Sequence, residues 1–131
     1  MGPLRVLLDT HAPIWWLFDD PKLTETARQV IGDSDNRIVV SSASAWEIAT
    51  KHRRGRLSEA GDLPERFEHY VEQARFTALP ITVAHALAAG RLLGPHKDPF
   101  DRVLIAQSLL ESMPVVTADP VFADYGAAVV W

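Results

Sequence analysis

The sequence contains no cysteine, which excludes disulfides, thiol catalysis and cysteine-ligated zinc. None of the five histidines, His11, His52, His69, His85 and His96, pairs with another at i,i+4, so a zinc site is not expected. No apolar run approaches the roughly 18 residues needed to span a bilayer, and no positive stretch precedes an apolar core and a cleavage site near the start. The expectation is therefore a cytoplasmic protein with no membrane partner. Internal repeats, low-complexity tracts and linkers are also missing, and 131 residues is the size of one domain, taken as residues 1–131. A hydrophobic content of 47% is too rich for disorder. There is no basic excess: the formal charge is −4, which weakly opposes a nucleic-acid partner. Distribution matters more than the sum, and Lys51, His52, Arg53 and Arg54, with Arg56, form a compact basic segment.

What is present is an alternation of short apolar runs and amphipathic stretches. Leu4–Leu8, Arg37–Val40 and Val115–Thr117 read as strands, Phe76–Ile81 as an extended segment limited by Pro80, and Ala127–Trp131 as a terminal strand. Helical character falls on Pro13–Phe18, on Thr24 to Ile31, and on Ser44–Arg54, which stops at Gly55. It returns over Leu63–Arg75, Val83–Leu93 and Phe100–Met113. Strands alternating with helices predict an α/β sandwich around a mainly parallel sheet.

Acidic residues lie at the ends of these segments. Asp9 closes Val6-Leu7-Leu8, Glu47 follows Ile38-Val39-Val40 and a serine-rich turn, Asp101 lies within Asp98-Pro99-Phe100-Asp101-Arg102, and Asp119 follows Val115-Val116-Thr117-Ala118. In a parallel sheet the carboxyl ends of the strands line one edge, where the ligand crevice of an open α/β fold forms. Carboxylates gathered there repel one another unless a cation holds them, and Mg²⁺ and similar hard cations prefer such oxygen donors. Each acid also has a purely structural explanation. Ser44 and Glu47 match a capping box, Asp98-Pro99 matches a helix cap followed by proline, Asp119-Pro120 reads the same way, and Asp9-Thr10 is compatible with a turn. Capping does not explain why acids recur after successive strands, nor does it require Asp9.

The motifs Leu7-Leu8-Asp9-Thr10-His11, Val40 to Ala49 with Glu47, His96 to Arg102 and Val116-Thr117-Ala118-Asp119, together with Gly55-Arg56-Leu57 and Leu79-Pro80-Ile81-Thr82, resemble the PIN-domain ribonucleases. More narrowly, they resemble the VapC-type toxins of bacterial toxin–antitoxin systems. The resemblance covers nearly the whole chain and implies a PIN-like α/β/α sandwich. Its four-acid site falls on Asp9, Glu47, Asp101 and Asp119, with Asp98 as a weaker metal candidate and Thr117 at a polar position beside the last acid. It further implies Mg²⁺ or Mn²⁺, an RNA substrate, products with 5′-phosphate and 3′-hydroxyl ends, a cognate antitoxin, and a homodimer or toxin–antitoxin hetero-oligomer.

On this reading Asp9 is a central ligand, Asp101 and Asp119 complete the coordination, and Glu47 acts through a water or orients the nucleophile. Lys51 shares the face of Glu47 and either pairs with it or contacts substrate phosphate. Arg53, Arg54 and Arg56 track the RNA backbone or form a solvated helix end, and Arg102 pairs with an acid or with phosphate. His11 and His96 touch substrate or serve orientation and packing. Trp15 and Trp16 are expected either to present one ring to an antitoxin or to pack together at the core's edge. The alternatives are a structure-specific DNA nuclease and a non-catalytic RNA- or protein-binding module whose acids are caps. An aspartyl-phosphate phosphatase is disfavoured, because His11 stands where that class needs a second acid.

Overall fold

Val6, Leu7 and Leu8 are each fully excluded from solvent, and so are Val39, Val40, Val115 and Val116 to within 1%. Such runs are buried on both faces, the signature of a parallel sheet covered on both sides. The computed structural model, which describes residues 3–131, forms a five-stranded sheet from β1 (Arg5–Leu8), β2 (Arg37–Ser41), β3 (Thr77–Leu79), β4 (Val115–Val116) and β5 (Val129–Val130). The strand order is β3-β2-β1-β4-β5 and every pairing is parallel. The chain builds outward from β1 through β2 to β3, then crosses to the other side of β1 for β4 and β5. The order therefore reverses between β1 and β4, the place where ligands bind in open α/β sheets.

Successive side chains point to opposite faces of a strand, and the two halves of the core divide accordingly. Val6, Leu8, Ile38, Val40 and Val116 pack with Ala12 of α1 (His11–Leu17) and Ala27 and Ile31 of α2 (Glu25–Gly32). Leu7, Val39 and Val115 face the other way, onto Ala43 of α3 (Ser42–Arg53) and Leu104 and Ile105 of α6 (Pro99–Glu111). Each such buried Val or Leu contributes roughly 1.5–3 kcal/mol, and a slip of one residue in a strand would exchange the two sets between faces whose helices are shaped for the other. A third cluster, Ile14, Ile48, Leu57, Ala60 and Leu63, joins α1 to α3 at one end of the sheet. The expected α/β/α sandwich is the observed one, with the sheet wholly parallel.

Element boundaries differ from expectation where local chemistry overrides pattern. The helix expected from Ser44 begins at Ser42, because β2 runs straight into it and the Ser41 hydroxyl accepts the Ala43 N–H at 3.0 Å as its cap. The Ser44–Glu47 capping box is therefore not formed: both residues lie inside α3 and are buried. The helix expected over Leu63–Arg75 shortens to α4 (Phe67–Gln73). Pro64 biases Leu63 away from helical backbone, and Leu63 instead anchors the end cluster. α5 spans Val83–Arg91. A 3₁₀ turn at Ser58–Ala60 and α7 (Val121–Asp124) have no counterpart in the sequence reading, being too short to produce a periodic signal. Among the described residues no helix is long and apolar enough to cross a membrane.

Candidate active site

β1 and β4 deliver the first candidate side chains. Asp9 follows β1, and Thr117 and Asp119 follow β4, so all three sit at the reversal point of the sheet. The Thr117 hydroxyl donates to Asp9 Oδ2 at 2.7 Å across that gap, while the Thr10 N–H donates to Asp9 Oδ1 at 2.7 Å. The Asp119 N–H in turn donates to Thr117 Oγ1 at 3.0 Å, and its carboxylate accepts the Val121 N–H. Asp9 and Asp119 line one cleft of about 310 Å³, with His11, Trp15 and Trp131 on its wall.

α3 and α6 deliver the second pair. Glu47 is only 3% exposed. It accepts the Thr10 hydroxyl at 2.6 Å, and that hydroxyl lies 3.1 Å from the Ser44 hydroxyl. The Lys51 ammonium, one turn along α3, is bonded to the other Glu47 oxygen. Asp101 lies in the first turn of α6, with Oδ2 at 2.8 Å from His96 Nε2. Asp98 caps that helix: its Oδ1 accepts the Phe100 and Asp101 N–H groups at 2.9 and 3.1 Å, so the capping explanation holds for this residue.

The electrostatics show which acids sense one another. Burial pushes the Asp9 carboxyl up, opposed by the Thr117 and Thr10 hydrogen bonds and by His11, while Glu47 pushes it further up. Asp101 is raised to about 6, first by burial and then by the charges of Asp98, Asp9 and Glu47, against the opposing His96 hydrogen bond. Burial works against the Lys51 ammonium, but its bond to Glu47 and the nearby charges of Glu47, Asp98 and Asp101 hold it above its ordinary value. Asp9, Glu47, Asp98 and Asp101 thus share one field, with Lys51 as a cation inside it.

The donors are hard oxygens that raise one another's proton affinity, a chemistry that fits a divalent cation such as Mg²⁺. Among the described residues, no three His, Asp or Glu side chains converge closely enough to hold an ion in the positions they occupy. The four acids are gathered at one edge of the sheet but not drawn in around a point.

The remaining sequence candidates fall into place around this edge. Lys51 takes the pairing option. Arg102 takes neither option expected of it: its guanidinium donates to the carbonyls of Ala89, Leu92 and His96, at 3.1, 2.5 and 2.9 Å. It clasps the loop that carries His96 instead of meeting an acid or open solvent. Arg53, Arg54 and Arg56 are exposed. Trp15 and Trp16 are both half-buried and pack against the core, so neither ring projects freely. His11 lies against Trp15 with ring centroids 5.4 Å apart, and His96 orients Asp101, so the roles of orientation and packing describe both. Thr10, which donates to Glu47, and Ser44, whose hydroxyl meets that of Thr10, were not anticipated in these roles. The signal was present, since Thr10 adjoins Asp9 and Ser44 precedes Glu47 by one helical turn.

Fold and site together define an α/β protein with a carboxylate-lined crevice at the reversal point of a parallel sheet. The chain belongs to the PIN domain family, whose model matches residues 6–128. It is 28% identical over 114 residues to Ribonuclease VapC22 of Mycobacterium tuberculosis, a match covering 87% of this chain and 86% of the relative. A shorter match, 39% identical over 66 residues, covers 49% of this chain and 44% of Ribonuclease VapC16 of the same organism. Among solved structures the fold is similar to VapBC2 from Rickettsia felis bound to a promoter DNA fragment. That match has a TM-score of 0.66 and 13% identity, and covers 96% of this chain and 97% of that one. FitAcB from Neisseria gonorrhoeae is also similar, with a TM-score of 0.64 and 20% identity over 95% of each chain.

Proposed function

We propose that the protein is a cytoplasmic, divalent-cation-dependent endoribonuclease, a single PIN domain acting as the toxin of a toxin–antitoxin pair and inhibiting translation or growth by cutting RNA. The observation that carries this reading is the set of four acids, Asp9, Glu47, Asp101 and Asp119, brought from four separate segments to the carboxyl edge of the sheet. The likeness to VapC ribonucleases supports the substrate class. The likeness to VapBC2 and FitAcB supports a cognate antitoxin as partner, with a homodimer or hetero-oligomer as the working assembly.

Asp9, Asp101 and Asp119 are the residues that would hold Mg²⁺ or Mn²⁺. When bound, such an ion supplies an activated water at neutral pH and neutralises charge on the phosphate. The chain's own residues prepare the site for it. Thr117 and the Thr10 N–H fix both oxygens of Asp9. Thr10 and Lys51 hold Glu47 in a single orientation, from which its carboxylate can accept a proton or orient a water. His96 sets the rotamer of Asp101. Arg53, Arg54 and Arg56 form the positive surface that draws in a phosphodiester backbone, and their contribution weakens with salt.

The test is cleavage of a defined mixture of cellular RNAs by antitoxin-free protein, with Mg²⁺, with Mn²⁺ and with chelator, beside Asp9→Asn protein prepared identically. Metal-dependent cutting that disappears in Asp9→Asn is expected. Equal cutting by both preparations would sink the site assignment. Binding of RNA without cutting by folded wild-type protein would favour the non-catalytic module.

A further inference from the structure

Trp46 is the exception among the four tryptophans. Trp15, Trp16 and Trp131 are half-buried, whereas Trp46 is 54% exposed. A large apolar ring costs free energy in water unless something covers it. This ring is nevertheless held: it packs against Phe100 of α6 as an edge-to-face pair, with centroids 4.6 Å apart and an interplanar angle of 79°. Phe100 is itself fixed by Asp98, which accepts its N–H. The contact ties α3 to α6 and leaves more than half of Trp46 exposed.

What surrounds the exposed ring is strongly cationic. Trp46, Thr50, Arg53 and Arg54 recur at i, i+4, i+7 and i+8 and so lie along one side of α3. With Arg56 and Lys51 they line a cleft of about 520 Å³ whose far wall is Asp98, Pro99 and Phe100. The cleft adjoins the acidic edge, because Lys51 belongs to both and because Asp98 acts on Asp101. An exposed aromatic ring beside several cations, next to the proposed phosphodiester-cutting site, matches the chemistry of a single nucleic-acid strand: phosphates for the guanidinium groups and a base for the ring.

We propose that Trp46, braced by Phe100, is a stacking platform for one unpaired nucleobase of the RNA substrate, and that it places the neighbouring phosphate at the carboxylate edge. This rests on the ribonuclease reading above. Paired bases in an RNA duplex keep their faces stacked on one another, so the platform selects for single-stranded or looped RNA. Because every base has a π-face, it confers strand selection without base identity. Trp46 acts here on substrate placement and not on the chemical step.

The experiment measures binding of a short single-stranded RNA and of inorganic polyphosphate, a phosphate chain without bases. The protein is the Asp9→Asn form, alone and with Trp46→Ala, Trp46→Phe or the pair Arg53→Ala and Arg54→Ala added. Cleavage by the corresponding proteins with Asp9 intact is followed in parallel. Trp46→Ala is expected to weaken RNA binding by roughly ten-fold or more, the scale of one lost base stack, while polyphosphate binding is unchanged. Trp46→Phe should restore most of the RNA affinity, and the arginine pair should lose affinity for both ligands. In cleavage, Trp46→Ala should raise KM with little change in kcat. RNA affinity within about two-fold of the parent in Trp46→Ala would overturn the platform. So would parallel loss of RNA and polyphosphate binding, or a loss of self-association with RNA affinity intact, which would make this face a contact between copies. A wild-type protein that neither binds nor cuts RNA overturns the ribonuclease reading itself, and a wild-type that cuts while Trp46→Ala cuts identically removes the platform alone.

Discussion

At the scale of single residues, the site is an unfavourable arrangement held by its neighbours. Asp101 ionises at about 6 in the folded chain and near 3.8 when unfolded. A carboxyl that keeps its proton longer when folded favours the fold only while protonated, so stability falls as pH rises from 3.8 to about 6 and stays lowered above that. Asp101→Asn is therefore expected to stabilise the metal-free protein by about 1 kcal/mol at neutral pH, a figure reduced for solvent screening. The gain should vanish in melts below the unfolded value. Lys51 works in the opposite sense. Removing it leaves the Glu47 carboxylate buried beside only a hydroxyl, so Lys51→Met should cost roughly 1–3 kcal/mol in urea unfolding. Glu47→Gln together with Lys51→Met should recover most of that loss, because the uncompensated charge is then gone.

At the scale of elements, Asp9, Asp101 and Asp119 sit where a strand ends or a helix begins, whereas Glu47 lies inside α3. Asp98 shows the structural use of a helix start. Asp98→Ala should lower stability by about 1 kcal/mol, the value of a helix cap, while metal-dependent cleavage persists. A combined loss of stability and cleavage would instead place Asp98 among the ligands. The strands were legible in the sequence because β1, β2 and β4 are continuous apolar runs, which two-sided burial demands. The ends of helices were not, since Ser41 and Ser44 are both plausible caps and only the direct junction of β2 with α3 decides between them. The gathering of the four acids at one edge was legible because their recurrence after strands has no capping explanation; their role as ligands is the proposal. The role of Arg102 was hidden, because what it holds is the end of α5 at Ala89 and the loop from Leu92 to His96, whose path no periodicity encodes. Trp46 was equally hidden: an exposed aromatic and a core aromatic look alike until the helix face is known.

At the scale of the whole molecule, the parallel sheet converts sequence-distant acids into one edge. Asp9 and Thr117, 108 residues apart in the chain, meet through a hydrogen bond of 2.7 Å because β1 and β4 are neighbours in register. α3 and α6 pack on one side of the sheet and bring Glu47 and Asp101 to the same end. The basic end of α3 then gives a chain of net charge −4 a local surface suited to phosphates. The central question is whether these acids are cation ligands or only caps and ion-pair partners. Calorimetric titration of Mn²⁺ at pH 7.5 into the wild type, Asp9→Asn and Asp98→Ala answers it most directly. Saturable binding by the wild type and Asp98→Ala, weakened at least about ten-fold in Asp9→Asn, is the expected result. No binding by folded wild-type protein, or equal binding by Asp9→Asn, would contradict the assignment of this edge as a metal-dependent active site.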